Sequence, residues 1–100
     1  MTEIIRVKQG DYGFTIKTTL VRADGTTFTI PDGATLTMEI YDLSGNKVAT
    51  VNGTKTGDNI AEFTIPEGTF DIATGRYKAV VVVTATDYKE TSEPIYIEVW

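Results

Sequence analysis

Gly75 to Thr86 reads Gly-Arg-Tyr-Lys-Ala-Val-Val-Val-Val-Thr-Ala-Thr, and no other stretch constrains the fold of this 100-residue chain as strongly. Four consecutive valines beside a tyrosine favour a strand. They oppose a helix, because β-branched side chains lose χ1 freedom against the preceding turn. Alternation puts Tyr77, Ala79, Val81, Val83 and Ala85 on one face and Lys78, Val80, Val82 and Thr84 on the other. A strand that is apolar on both faces over Val80 to Val83 is expected at the centre of a sheet, with neighbours on each side and cover above and below.

The rest of the chain repeats the β signature around that run. Glu3 to Lys8 alternates loosely and reads as an opening edge strand, with Ile5 and Val7 inward and Ile4 extra. Tyr12, Phe14, Ile16, Thr18 and Leu20 then fall at every second position, the period of a half-buried strand. Asp24-Gly25 predicts a hairpin turn into a return run Thr26 to Ile30, which ends at the turn Pro31-Asp32-Gly33. Thr35 to Tyr41 turns Leu36, Met38 and Ile40 inward, and Asp42 to Asn46 is the next turn. The strand from Lys47 is expected to run through Asn52-Gly53 to a turn at Thr56 to Asn59, in preference to turning at Asn52-Gly53 itself. Ile60 to Ile65 follows as a strand. Pro66 to Thr74 lacks β periodicity and could hold a single helical or 3₁₀ turn, with Phe70 and Ile72 plugging an end of the core. Asp87-Tyr88-Lys89 reads as a turn, and Glu93 to Trp100 as the last strand. Seven or eight short strands with turns every 8–12 residues and no useful helix predict a single all-β sandwich domain over residues 1–100. Eighteen threonines fit, since Thr suits a pleated, solvated face.

Composition narrows the chemistry. With no cysteine and no histidine there is no disulfide, no thiolate or imidazole metal ligand, no Cys nucleophile and no imidazole base. The net charge is −5, and the nine basic residues are scattered singly along the sequence, which argues against nucleic acid. No stretch approaches the roughly 20 apolar residues of a membrane helix, and the start of the chain does not read as a signal peptide. Carboxylates at Glu62, Glu67, Asp71 and Glu98 are candidates for paired acid–base work, but no hydrolase, metalloprotease or phosphate-loop motif accompanies them. The expectation is that the protein is not an enzyme and needs no cofactor. Asp11, Asp32, Asp42 and Asp58 sit in predicted turns and are the candidates for calcium, yet the spacing of a calcium loop is missing and turn aspartates ordinarily cap their own backbone. Asn52-Gly53-Thr54 matches a glycosylation acceptor and reads as chance. The residues of most interest are aromatic. Tyr41, Tyr88, Tyr96 and Trp100 fall at outward or turn positions, and with the outward Val80 and Val82 they are the candidate interface. The same aromatics could stack on sugar rings.

The assembled pattern resembles the N-terminal domain of the phage baseplate upper protein, an immunoglobulin-like module. The resemblance runs from the opening strand and Gly10-Asp11 through Tyr12 to Leu20, Asp24-Gly25, Leu36 to Ile40 and a turn through Gly45. It closes with Asp71, Gly75-Arg76-Tyr77, the valine strand and the ending Glu98-Val99. Gly75-x-Tyr77 also resembles the tyrosine corner of immunoglobulin-like domains, which gives Asp71, Gly75 and Tyr77 a structural role. The resemblance implies an immunoglobulin-like antiparallel β-sandwich that serves as a structural and assembly module of a tailed-phage baseplate. Its partners would be other tail or baseplate proteins and further copies of itself, with no nucleic acid and no membrane. It would be made in the host cytoplasm and located in the virion. Members of that family continue into a linker and further regions, so a chain that stops at Trp100 reads as an excised domain or a short relative. The rival expectation is a carbohydrate-binding or cell-surface adhesion sandwich, and a third is a domain cut from a larger secreted enzyme.

Overall fold

The computed structural model describes residues 4–22, 24–26 and 29–100. Among them are eight strands and no helix: β1 (Ile4–Val7), β2 (Thr15–Thr19), β3 (Thr35–Asp42), β4 (Lys47–Gly57), β5 (Ile60–Thr64), β6 (Gly75–Ala85), β7 (Tyr88–Thr91) and β8 (Ile95–Val99). They form one curled sheet in the order β1-β8-β6-β3-β4-β5-β2, with β7 also on β6. The sheet folds over itself into two layers. β1, β8, β7, β6, β3 and the first half of β4 make the larger layer, and the second half of β4 with β5 and β2 makes the smaller one.

The valine strand is central, as its composition demands. β6 pairs antiparallel with β3 along one side, Thr84 opposite Thr35 through Tyr77 opposite Asp42. Its other side is shared by β8 over Gly75–Ala79 and β7 over Val82–Ala85. The gap between β7 and β8 is bridged by a side chain. Ser92 donates its backbone N–H to Val81 O at 2.9 Å, and its Oγ accepts from the Val81 N–H at 2.9 Å. A hydroxyl thus completes the ladder where the strand breaks before Pro94, a residue with no N–H to give.

β4 joins the layers. Leu36 opposite Gly53 is the last of its pairs with β3, and Thr54 opposite Glu62 is the first with β5. At the crossing, a Cβ on Gly53 would lie 2.4 Å from Phe63 Cε1 and 2.9 Å from Glu62 O. Only glycine lets the backbone lie against the Phe63 ring while the strand changes partner. The strand therefore does run on through Asn52-Gly53.

Between the layers Leu36, Met38, Ile40, Val51, Ala79, Val81, Val83, Ile97 and Val99 meet Ile16, Leu20, Ala61 and Phe63. Ile30 and Phe70 are buried with them from loops. Full burial of each such aliphatic or aromatic side chain contributes about 1.5–3 kcal/mol. Phe70 does plug the core, but residues 66–74 form turns and not a helical or 3₁₀ turn.

Several local expectations need correction. Tyr12 is exposed and lies ahead of β2, because the strand pairing begins only at Thr15. Asp24-Gly25 does turn the chain: Gly25 has φ +89° and donates to Arg22 O, and Asp24 accepts from the backbone and hydroxyl of Thr26. It does not make a hairpin of β2, whose partner is β5, and Thr29 and Ile30 are not strand. Thr27 and Phe28 of that return run, Ala23 of its turn, and Glu3 of the opening strand lie outside the described residues. The turn expected at 87–89 is tighter. It uses Thr86 and Asp87, the latter at φ +57°, and Tyr88-Lys89 already belong to β7.

Candidate functional site

Because β6 buries its odd-numbered residues, its even-numbered ones face outward, and register carries that parity to its neighbours. Val80 stands opposite Glu39, Val82 opposite Thr37 and Thr91, and Lys78 between Tyr41 and Tyr96. At the edge, Tyr96 faces Ile4 and Glu98 faces Arg6. The outer face of the larger layer therefore unites Tyr41, Val80, Val82 and Tyr96, all half-buried, with Ile4, which is 48% exposed. Trp100 continues the parity of Tyr96 and Glu98 past the end of β8 and is 52% exposed. Its backbone is tied to β1, donating to Val7 O at 3.0 Å and accepting from Gln9 at 2.9 Å.

Tyr88 does not join this face. Its register partner is Ala85, on the inward side of β6, and it packs against the core. Its hydroxyl donates to Glu90 Oε1 at 2.5 Å, and Glu90 also takes the Arg22 guanidinium, closing one end of the sandwich. The hydrogen bonds from Arg22 and Tyr88 hold the Glu90 carboxyl below its ordinary value, and the bond to Glu90 raises the Tyr88 hydroxyl. Tyr88 is expected in the turn at 87–89, but the turn uses only Thr86 and Asp87, so Tyr88 opens β7 opposite Ala85 and takes its inward parity.

The face is also basic. Arg6, Lys8, Lys47, Arg76, Lys78 and Lys89 are on it or at its rim, against Glu39, Glu98 and Asp11. Glu98 lies 3.4 Å from Arg6 and 3.6 Å from Arg76. Glu39 lies 3.8 Å from Lys47 and accepts the Tyr41 hydroxyl at 2.7 Å, which raises that hydroxyl's pKa. Arg6 and Lys8 sit over the Trp100 ring, with Cζ at 5.6 Å and Nζ at 4.9 Å from its centroid. Beside them opens a cleft of about 320 Å³ lined by Arg6, Val7, Lys8, Asp11, Phe14 and Trp100. Cations that are isolated in sequence are gathered by strand pairing. The available signal was the shared outward parity of Arg76 and Lys78 within β6 and of Arg6 and Lys8 along β1 and just past it.

The other candidate residues are dispersed. Glu62 points out from the smaller layer and Glu98 from the larger, on opposite sides of the sandwich, while Glu67 and Asp71 sit in the loop before β6. Asp42 accepts from the Ser44 and Asn46 N–H groups at 2.9 Å, and Asp32 pairs with Lys55 at 2.9 Å. Asp11 lines the Trp100 cleft and Asp58 lies at the opposite loop end. Among the described residues, no three carboxylates gather as a metal site would require. Asn52 and Thr54 sit within β4. Tyr77 donates its hydroxyl to Ala73 O at 2.6 Å, four residues upstream. Gly75 enters β6 at φ +143°, and the Asp71 N–H bonds Gly68 O within the loop before it.

These features define a β-sandwich domain with one polar threonine-rich outer face and one basic, aromatic outer face. The chain belongs to the LtfC-like family of β-sandwich domains, whose family model matches residues 2–97. That family, and not the baseplate upper protein family that the strand pattern resembles, is the one matched. No curated protein matches the chain. Among solved structures it is similar to CopC from Methylosinus trichosporium OB3b, at 14% identity and a TM-score of 0.55, over 98% of this chain and 84% of that one. At that identity the likeness is one of fold.

Proposed function

We propose that the domain is a non-enzymatic structural and assembly module of a tailed-phage baseplate, located in the virion and bound to other tail subunits. The observation that carries this reading is the outer face of the larger layer, where Val80, Val82, Tyr41 and Tyr96 form a half-exposed ridge flanked by Ile4 and Trp100. A solvated sheet face has no need of such residues, and apolar ridges rimmed by charge serve protein contact. The sequence resemblance to a baseplate module supports the setting, and membership in the LtfC-like family is consistent with a rigid β-sandwich scaffold. The rival sugar-binding reading draws on Trp100, whose exposed ring stands beside Asp11 in the cleft. Arg6 and Lys8 already lie over that ring, taking up stacking surface a sugar would use.

The test is a pull-down of dissociated phage tail proteins and of host cell-wall polysaccharide with the purified chain and its Val82→Asp variant. Capture of a tail protein by the native chain and loss of it in the variant is the expected result. Capture of polysaccharide alone, or undiminished capture of tail protein by the variant, would overturn it.

A further inference from the structure

We propose that the basic outer face of the larger layer docks head to tail on the acidic surface of a second copy of this chain. The inference rests on the assembly reading above and names one partner for the same face. Its ground is the way folding separates charge. Six of the nine basic residues are on that face or its rim, against Glu39, Glu98 and Asp11, a balance of +3 on a chain of net −5. Among the other described residues Lys17, Arg22 and Lys55 stand against ten carboxylates, a balance of −7. Many of those ten are exposed in loops at the sandwich ends, among them Asp24, Asp32, Asp58, Glu67, Asp71 and Asp87.

Unlike surfaces on one molecule favour a heterologous contact. A two-fold pairing of like faces would set +3 against +3, whereas head-to-tail stacking sets +3 against the sandwich end that carries the exposed Asp24, Asp32, Asp58 and Asp87, which steers encounter and fixes orientation. The ridge of Val80, Val82 and Tyr96 supplies apolar area for the same contact, and Lys78, exposed between Tyr41 and Tyr96, is placed at its middle. A heterologous contact repeats, so it builds a ring if the rotation closes and a filament if it does not.

Sedimentation velocity over a concentration series tests this, with the native chain and a Lys78→Glu/Lys89→Glu variant, both positions being exposed. Self-association is expected at about 0.01 M salt, where the Debye length is about 30 Å, and at least a tenfold weaker association constant at about 0.15 M, where it is about 8 Å. The variant should stay monomeric alone yet bind native chain one to one, since it keeps the acidic surface. A native chain that remains monomeric at low salt, or a variant that associates as the native chain does, would overturn the proposal. So would a variant that fails to bind the native chain, as would a duplex oligonucleotide bound in place of a second copy. If self-association fails while tail-protein capture persists, the assembly reading survives without this partner. If both fail, the assembly reading itself is lost.

Discussion

Gly53→Ala is the substitution that most directly tests how the two layers are joined. An added Cβ would stand 2.4 and 2.5 Å from Phe63 Cε1 and Cδ1, and 2.9 Å from Glu62 O. Phe63 is fully buried and Glu62 O belongs to the partner strand, so neither can retreat like a mobile side-chain end. The gain expected of Gly→Ala in an ordinary strand is about 0.5–1 kcal/mol. Overpacking a closed core costs about 1–3 kcal/mol, and here it acts on ring and backbone together, so the net loss should be about 2 kcal/mol. For a domain of this size that lowers Tm by about 8–16 °C at about 4–8 °C per kcal/mol. Urea melts of the native chain, Gly53→Ala, Phe63→Leu and the double variant give the cycle. The double variant should be more stable than the sum of the single effects by about 1 kcal/mol or more, because the smaller side chain relieves the clash. A neutral or stabilising Gly53→Ala, or strict additivity, would refute the tight crossing.

Three further outcomes follow from single hydrogen bonds and turns. Ser92→Ala removes the acceptor of the Val81 N–H inside the central strand and should cost about 1–3 kcal/mol in a urea melt at unchanged slope. Tyr77→Phe removes the 2.6 Å bond to Ala73 O and should cost about 0.5–1.5 kcal/mol, with amide exchange accelerating first around residues 66–74. Acid should destabilise the fold. Hydrogen bonds from Asn46, Thr26 and Arg22 hold Asp42, Asp24 and Glu90 below their ordinary values, so the folded state binds fewer protons than the unfolded one. Their contribution is complete above those ordinary values, 3.8 for Asp and 4.5 for Glu, and is lost as pH falls through the depressed ones. Asp42→Asn, which can keep the turn, should flatten the fall in Tm below about pH 4.

The LtfC-like match agrees with the β-sandwich read from periodicity, and the likeness to CopC is one of overall fold. The narrower phage setting rests on pattern and on the character of one face, and the pull-down decides it.

What the sequence determined by itself is local. The valine run requires a central strand, alternation assigns each strand's faces, and Asp42 to Asn46 encodes its turn through a carboxylate that binds the backbone two and four residues on. What only the tertiary structure decided is pairing. Alternation reports which side of a strand is buried but carries no record of the partner, so Asp24-Gly25 promised a hairpin while β2 found β5 more than forty residues away. A turn confined to Thr86 and Asp87 took Tyr88 out of the expected turn and packed it against the core, and the register of β1, β8 and β6 placed Arg6, Glu98 and Arg76 side by side. Charges isolated along the chain become a basic face because strand pairing brings residues 6, 76 and 98 together, through contacts that no window of neighbouring residues contains.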